Sequence, residues 1–209
     1  MAKDKLSLAA WIEESEKKGI SLRETLIANN AEAMGVEPQV LLDEMADMLK
    51  VMRASIDYGL TGVRSRSKLT GGSAKKLFEA KQSNNYANLL GSTVSDAVIF
   101  SLAVAEANAA MGRIVAAPTA GASGVLPGML FSLQKNYALS EKDLAAGLVV
   151  AGSIGLVIAN RSSLSGAMGG CQAETGSAAA MAAGAAVDML GGTPEQVGHA
   201  VAMTIKNML

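Results

Sequence analysis

The sequence predicts a mainly α-helical protein rich in small residues, with glycine-rich loops and an amphipathic helical region at its N-terminus. Three observations carry that prediction. Half of the 209 residues are hydrophobic but only 3% are aromatic, so Ala, Leu, Val, Ile and an unusually large set of 12 Met must fill the core, which lets backbones pack closely. Apolar residues recur at helical spacing through the first third of the chain. Helix start and stop signals, such as Ser21 followed three residues later by Glu24, bracket those periodic runs. On this reading residues 1–60 form the amphipathic region and residues 61–209 the main domain.

Taken in order, the first helix is expected over Ser7 to Lys18, with Leu8, Trp11 and Ile12 on its apolar side and Gly19 as its C-terminal cap. A second follows Ser21, with Leu22, Leu26, Ala33 and Met34 roughly on one side. A third begins near Glu37 and Pro38, where proline is tolerated in the first turn, and carries Leu41, Leu42, Met45, Met48, Leu49, Met52 and Ile56 to a cap at Gly59. From Leu60 to Ser83 the composition turns to Gly, Ser and Thr with Arg64, Arg66, Lys68, Lys75, Lys76 and Lys81, which reads as a loop or linker. It is either a solvated charged loop or one that reaches an anionic substrate group or an acidic partner surface.

A long helix is expected from Asn84 to Gly112, with the lone acids Asp96 and Glu106 read as structural, either paired or at a solvated edge, ahead of the alternative of a functional group with a raised pKa. A hydrophobic element over Met129 to Tyr137, a polar turn at Ser140 to Asp143, a buried helix, an Ala-rich helix ending at Gly191 and Gly192, and a last helix from Thr193 and Pro194 complete the order. That last helix is expected to turn Val197, Ala200, Val201, Ile205 and Met208 inward.

Composition excludes several functions. A formal net charge of −1 gives no pull towards nucleic acid. A single cysteine rules out an internal disulfide framework, and the start lacks the apolar core of a signal peptide, which together fit a reducing cytoplasm. Leu144 to Asn160 is uncharged and near the lower limit for crossing a bilayer, but its Gly and Ser interruptions and the lack of flanking Trp or Tyr favour a helix buried in a soluble bundle, with no membrane partner. His199, the only histidine, has Met203 rather than a second ligand four residues on and reads as structural.

Two stretches carry candidate chemistry. The first, Ser165 to Gly176, holds Cys171 among Gly166, Gly169, Gly170 and Gly176, with Gln172 and Glu174 as polar neighbours; it is either a reactive or ligating thiol or a buried, inert one. In the second, Thr119, Ala120, Gly121, Ala122, Ser123 and Gly124 form a loop after Pro118. Such loops present successive N–H groups and hydroxyls, and where they open a helix they favour a carboxylate or phosphate. The spacing is neither a P-loop nor a dinucleotide fingerprint.

Pro118-Thr119-Ala120-Gly121-Ala122-Ser123-Gly124, Ser165-Gly166-Ala167, Gly170-Cys171-Gln172-Ala173-Glu174 and Gly191-Gly192-Thr193-Pro194-Glu195-Gln196, in this order, resemble the alpha chains of bacterial iron-sulfur-dependent L-serine dehydratases. The resemblance covers about Leu60 to Leu209. It implies a helical lyase domain that converts L-serine to pyruvate and ammonia without pyridoxal phosphate, around an oxygen-sensitive 4Fe-4S cluster with Cys171 as one ligand. It further implies substrate-carboxylate contacts from Thr119, Ala120, Gly121, Ser123 and Gly124, roles for Ser165, Gln172 and Glu174 around the substrate and cluster, a beta-chain partner and an oligomer; it names no catalytic base. Family members continue into Cys-Asp-Pro-Val and Pro-Cys segments that this sequence lacks, so the chain is expected to be truncated, inactive and without a cluster as it stands. A non-catalytic helical interaction module is the alternative.

Overall fold

A computed structural model describes residues 6–83 and 90–208. Among the described residues it contains nine α-helices and no strand beyond a single antiparallel bridge between Arg64 and Gly71. The helices are α1 (Leu8–Lys18), α2 (Leu22–Met34), α3 (Pro38–Leu60), α4 (Ser73–Gln82), α5 (Gly91–Ala109), α6 (Val125–Tyr137), α7 (Glu141–Arg161), α8 (Gly166–Met189) and α9 (Pro194–Met208). Two compact units are present: Met1–Asp47 with Ser140–Leu209, and Met48–Leu139.

In the first unit α8 packs on both α7 and α9, α2 lies on α7, and α1 touches α2 and α9. Local chemistry sets these helices as expected. Ser7 accepts a hydrogen bond from Ala10 N at the head of α1, and Gly19 ends it in the left-handed conformation. Ser21 and Glu24 form a reciprocal capping box on α2, and Ser140 with Asp143 does the same on α7, so the polar turn is the start of that helix. Small residues allow the close packing. A Cβ on Gly184 would run into Ile154, with Val201 Cγ2 only 2.9 Å away, so α8 can lie against α7 and α9 only without a side chain there.

Arg23 ties α2 to two other helices. Its Nε donates to Asp188 Oδ2 at 2.8 Å, its Nη2 to the Asp188 carbonyl at 2.7 Å and its Nη1 to Asp143 Oδ1 at 3.2 Å. Burial lifts the Asp188 carboxyl above its ordinary range, a push that Arg23 opposes without cancelling. The uncharged run is α7, with Leu144 to Ala151 buried, followed by Ser153, Ile154 and Gly155. By length and composition it could cross a membrane, but 61% of its apolar window is covered inside the structure.

In the second unit α5 packs on α4 and α6, and the C-terminal part of α3 joins them. Four expectations are corrected here and in α9. Gly59 is not a cap: α3 runs on to Leu60, and Gly59 is buried where a Cβ would strike the Ala103 backbone. The stretch read as a loop up to Ser83 contains α4, because Ser73 to Gln82 is amphipathic and its N-terminus is satisfied by a distant carboxylate. Methionine fills less of the core than expected: Met52, Met181 and Met189 are buried, whereas Met34, Met48, Met111, Met168 and Met203 are exposed. Ile205 of α9 is also 38% exposed. The helix expected from Asn84 is described from Gly91; residues 84–89 lie outside the described residues.

Candidate functional site

The loop of the second unit is built from α5 outward. Asn108 Nδ2 donates to the Ala120 carbonyl at 3.0 Å, and Ser123 N donates to the same oxygen at 3.3 Å, which closes a turn directly before α6. Thr119 is half-buried, Ala120 and Gly121 are exposed, and Ala122, Ser123 and Gly124 are buried. A Cβ on Gly124 would collide with the Ser101 carbonyl, and one on Gly128 with the Ser101 hydroxyl, so these glycines let α6 lie directly on α5.

Ser123 is 1% exposed, and its Oγ has no hydrogen-bond partner among the described residues. An orphaned hydroxyl costs about 1–3 kcal/mol and marks a place where a polar group belongs. It stands one residue before Gly124, the N-cap of α6, which makes no side-chain cap. Val125 N donates to the Ala122 carbonyl at 3.1 Å and Gly128 N to the Gly124 carbonyl at 3.0 Å, and Pro127 carries no N–H, so Leu126 N is the first-turn donor left for an anion.

Glu106 and Asp96, both on α5, support this unit. Glu106 is buried, and its carboxylate accepts from Gly72 N at 2.9 Å and Ser73 N at 2.8 Å, closing the N-terminus of α4. Asp96 is 1% exposed. Burial disfavours its charge, but hydrogen bonds from Lys81, Lys135 and Asn136 outweigh that and hold its carboxyl below the ordinary value. Both acids are thus paired rather than at a solvated edge, one of the two structural settings the sequence left open. Asn108, which positions the loop, was missed; a single amide near a helix end gives no sequence signal.

The other candidate residues lie in the first unit, at the head of α8. Ser165 is its N-cap, its hydroxyl accepting from Met168 N at 3.2 Å. The helix is broken at Gly170, whose φ of 76° and ψ of 174° suit only glycine. Cys171 therefore opens the longer helical piece, and its thiol is exposed rather than buried. Gln172 is exposed, while Glu174 is half-buried with its carboxylate lying over Gly166, where a Cβ would sit 2.8 Å from Oε2. Glu174 thus lies back over the head of the helix beside Ser165, and Cys171 directly follows the break. His199 is exposed, with Nε2 4.0 Å from Glu195 Oε1.

The family model for the serine dehydratase alpha chain matches residues 17–209. The chain belongs to the serine dehydratase alpha-chain family. It is 44% identical over 95% of its length to a Bacillus subtilis protein described as a probable L-serine dehydratase alpha chain, covering 65% of that relative. It is 36% identical over 95% of its length to the L-serine dehydratase alpha chain of Peptoniphilus asaccharolyticus, covering 68% of it. To the L-serine dehydratase of Streptomyces coelicolor it is 34% identical over 93% of its length, covering 43%. The chain thus spans about two thirds of these two alpha chains and less than half of the longer enzyme.

The donors of this alpha-chain-family member can be tested against the cluster its resemblance implies. A four-iron cluster takes four thiolates. The chain has one cysteine, Cys171, and among the described residues no group of three or more His, Cys, Asp or Glu side chains exists that could hold a metal ion. One exposed cysteine could supply a single ligand but not a complete site, so the donors of this chain alone do not fit the cluster.

Proposed function

We propose that the chain is the alpha-type part of an L-serine ammonia-lyase, the activity carried in the names of its relatives, and that the loop from Thr119 to Gly124 receives the substrate. The observation that carries this reading is the buried, unpartnered Ser123 Oγ beside the uncapped N-terminus of α6. An α-carboxylate there would accept from the Ser123 hydroxyl and from Leu126 N, the one first-turn N–H that neither a backbone carbonyl nor proline removes. Thr119, Ala120, Gly121 and Gly124 shape that receptacle, and Asn108 fixes its turn through Ala120.

Overall, L-serine loses its α proton and its β hydroxide, and the resulting aminoacrylate tautomerises to an imine that water splits into pyruvate and ammonia. The chain's own contribution is to hold the carboxylate in one orientation, so that the Cα–H and Cβ–O bonds are presented in a fixed geometry. Cys171 would supply one ligand of a 4Fe-4S cluster, whose remaining ligands this chain's single cysteine cannot provide. Ser165, Gln172 and Glu174 surround that ligand and set its local environment. A beta chain completes the enzyme, no pyridoxal phosphate is used, and the exposed free thiol suits a reducing cytoplasm.

The test is a pyruvate assay with L-serine on the anaerobically reconstituted complete enzyme. Ser123→Ala is expected to raise KM about tenfold or more, the loss of one hydrogen bond to a charged group, with a smaller effect on kcat. Cys171→Ser is expected to abolish turnover and lower iron content. An iron-loaded wild-type enzyme without pyruvate formation would overturn the activity, and an unchanged KM in the Ser123 variant would remove the loop from substrate binding.

A further inference from the structure

The segment Arg64 to Gly71 lies wholly within the second unit, and it is largely exposed yet built to a fixed shape. The Arg64–Gly71 bridge closes its base, and Ser65 N donates to the Thr70 carbonyl at 2.8 Å just inside it. Lys68 N donates to the Ser65 carbonyl at 2.9 Å, which makes Ser65 to Lys68 a β-turn with Arg66 at its corner. Thr70 N donates to Ser65 Oγ at 3.2 Å, and directly after the segment Glu106 pins Gly72 and Ser73. Lys68 has a φ of 61°, a left-handed conformation that is costly for a residue with a side chain and persists only where the surroundings fix it. A charged loop that only faces water needs neither this framework nor this strain.

The tip offers charge and apolar surface side by side. Leu69 is 90% exposed, and Arg64, Arg66 and Lys68 are exposed without an ion-pair partner among the described residues. The acids of the unit are placed otherwise: Asp57 is exposed on α3, Asp96 and Glu106 are buried on other partners, and Glu79 faces Lys75 of its own helix at 3.9 Å. An occupant that fits this tip brings both negative charge and an apolar group. Guanidinium forks match carboxylates through paired N–H···O bonds, and a fixed turn holds them ready for that geometry. A phosphate backbone would leave Leu69 in water, and the loop has no aromatic side chain on which a base would stack. A lipid surface would receive only one apolar side chain and makes no use of a fixed arrangement of cations. We propose that the Arg64–Gly71 loop is a docking element for an acidic segment of a partner protein that carries an apolar side chain among its carboxylates. The carboxylates pair with Arg64, Arg66 and Lys68, and the apolar group covers Leu69. The inference is independent of the catalytic reading.

The test is fluorescence anisotropy with the full chain and a labelled synthetic peptide of repeated Glu-Glu-Leu as the probe, circular dichroism confirming that each variant is folded. Saturable binding is expected, weakening as salt rises. Arg66→Glu/Lys68→Glu should weaken it by about tenfold or more, because like charges then face each other. Arg113→Glu/Lys142→Glu changes the net charge equally at exposed positions outside the loop, and should alter the affinity by no more than about twofold. Leu69→Ser should weaken binding of the probe by about tenfold and that of a Glu-Glu-Ser peptide hardly at all, because only the probe places an apolar group against Leu69. No binding of the probe, an equal loss in both charge-reversed variants, or no difference between the two peptides at Leu69 would overturn the proposal. Tighter binding to double-stranded DNA or to phosphatidylserine vesicles than to the probe, lost in the loop variant, would overturn it in favour of nucleic acid or membrane.

Discussion

A carboxylate withdrawn from water must be matched by donors or lose its charge, and α5 holds two that are matched in different ways. Glu106 is met by backbone N–H groups of α4, so replacing it with glutamine puts an amide where only acceptors fit. Glu106→Gln is expected to lower stability by about 1–3 kcal/mol in urea unfolding, with α4 and the Arg64–Gly71 loop the first to lose hydrogen-exchange protection. Asp96 is met by Lys81, Lys135 and Asn136, which hold its carboxyl below the unfolded value of about 3.9. Because the folded value is the lower one, its contribution is fully present above that unfolded value and is lost as pH falls through the folded one. Asp96→Asn should therefore destabilise the protein at pH 7 and have a smaller effect near pH 3, as measured by urea midpoints. These partnerships were half legible. Two lone acids among apolar neighbours announce that partners exist, but Gly72 and Lys135 lie dozens of residues away and no local pattern names them.

At the scale of the elements, legibility followed the range of the interaction. The helices α1, α2 and α9 were readable because their caps lie within four residues of the groups they satisfy, as with Ser21 and Glu24. The helix α4 was not, because its N-terminal N–H groups are satisfied by Glu106 from α5. The same limit applies to glycine, which local reading treats as punctuation. Gly59 ends nothing; it lets α3 lie on the Ala103 backbone, while Gly152 on α7 has open space around it. The two positions should thus respond in opposite directions. Gly59→Ala is expected to cost about 1–3 kcal/mol, because a backbone has to move. Gly152→Ala should stabilise by up to about 1 kcal/mol, because an exposed helical position gains an unstrained Cβ and loses chain entropy in the unfolded state. Thermal melts of the two variants beside the wild type decide the matter.

For the whole molecule, the chemistry-bearing residues were legible as motifs, whereas their setting was not. The loop at Ser123 and the cysteine at Cys171 stand out by composition, but the missing hydrogen bond of Ser123 and the break at Gly170 exist only in the folded backbone. Hydropathy poses the same problem at larger scale, since a positive mean hydropathy of +0.28 and an α7 long enough to span a bilayer fit either a membrane or a core helix. Packing separates the two. Leu144, Leu148, Val150 and Ile154 are covered by protein, Ser153 Oγ accepts from Asn30 of α2 at 3.0 Å, and Asp143 at the helix start is paired with Arg23. Insertion into lipid would have to break those polar contacts and strip α2 and α8 from the apolar face, with no gain in apolar burial to compensate. The folded chain is therefore expected to stay in the aqueous phase of a detergent phase-separation assay. Arg23→Ala, which leaves Asp188 buried without its cation at a cost of about 3 kcal/mol, should loosen that cover and move a measurable fraction into the detergent phase. Recovery of the wild-type chain in detergent would show instead that the apolar face of α7 is not held by its neighbours.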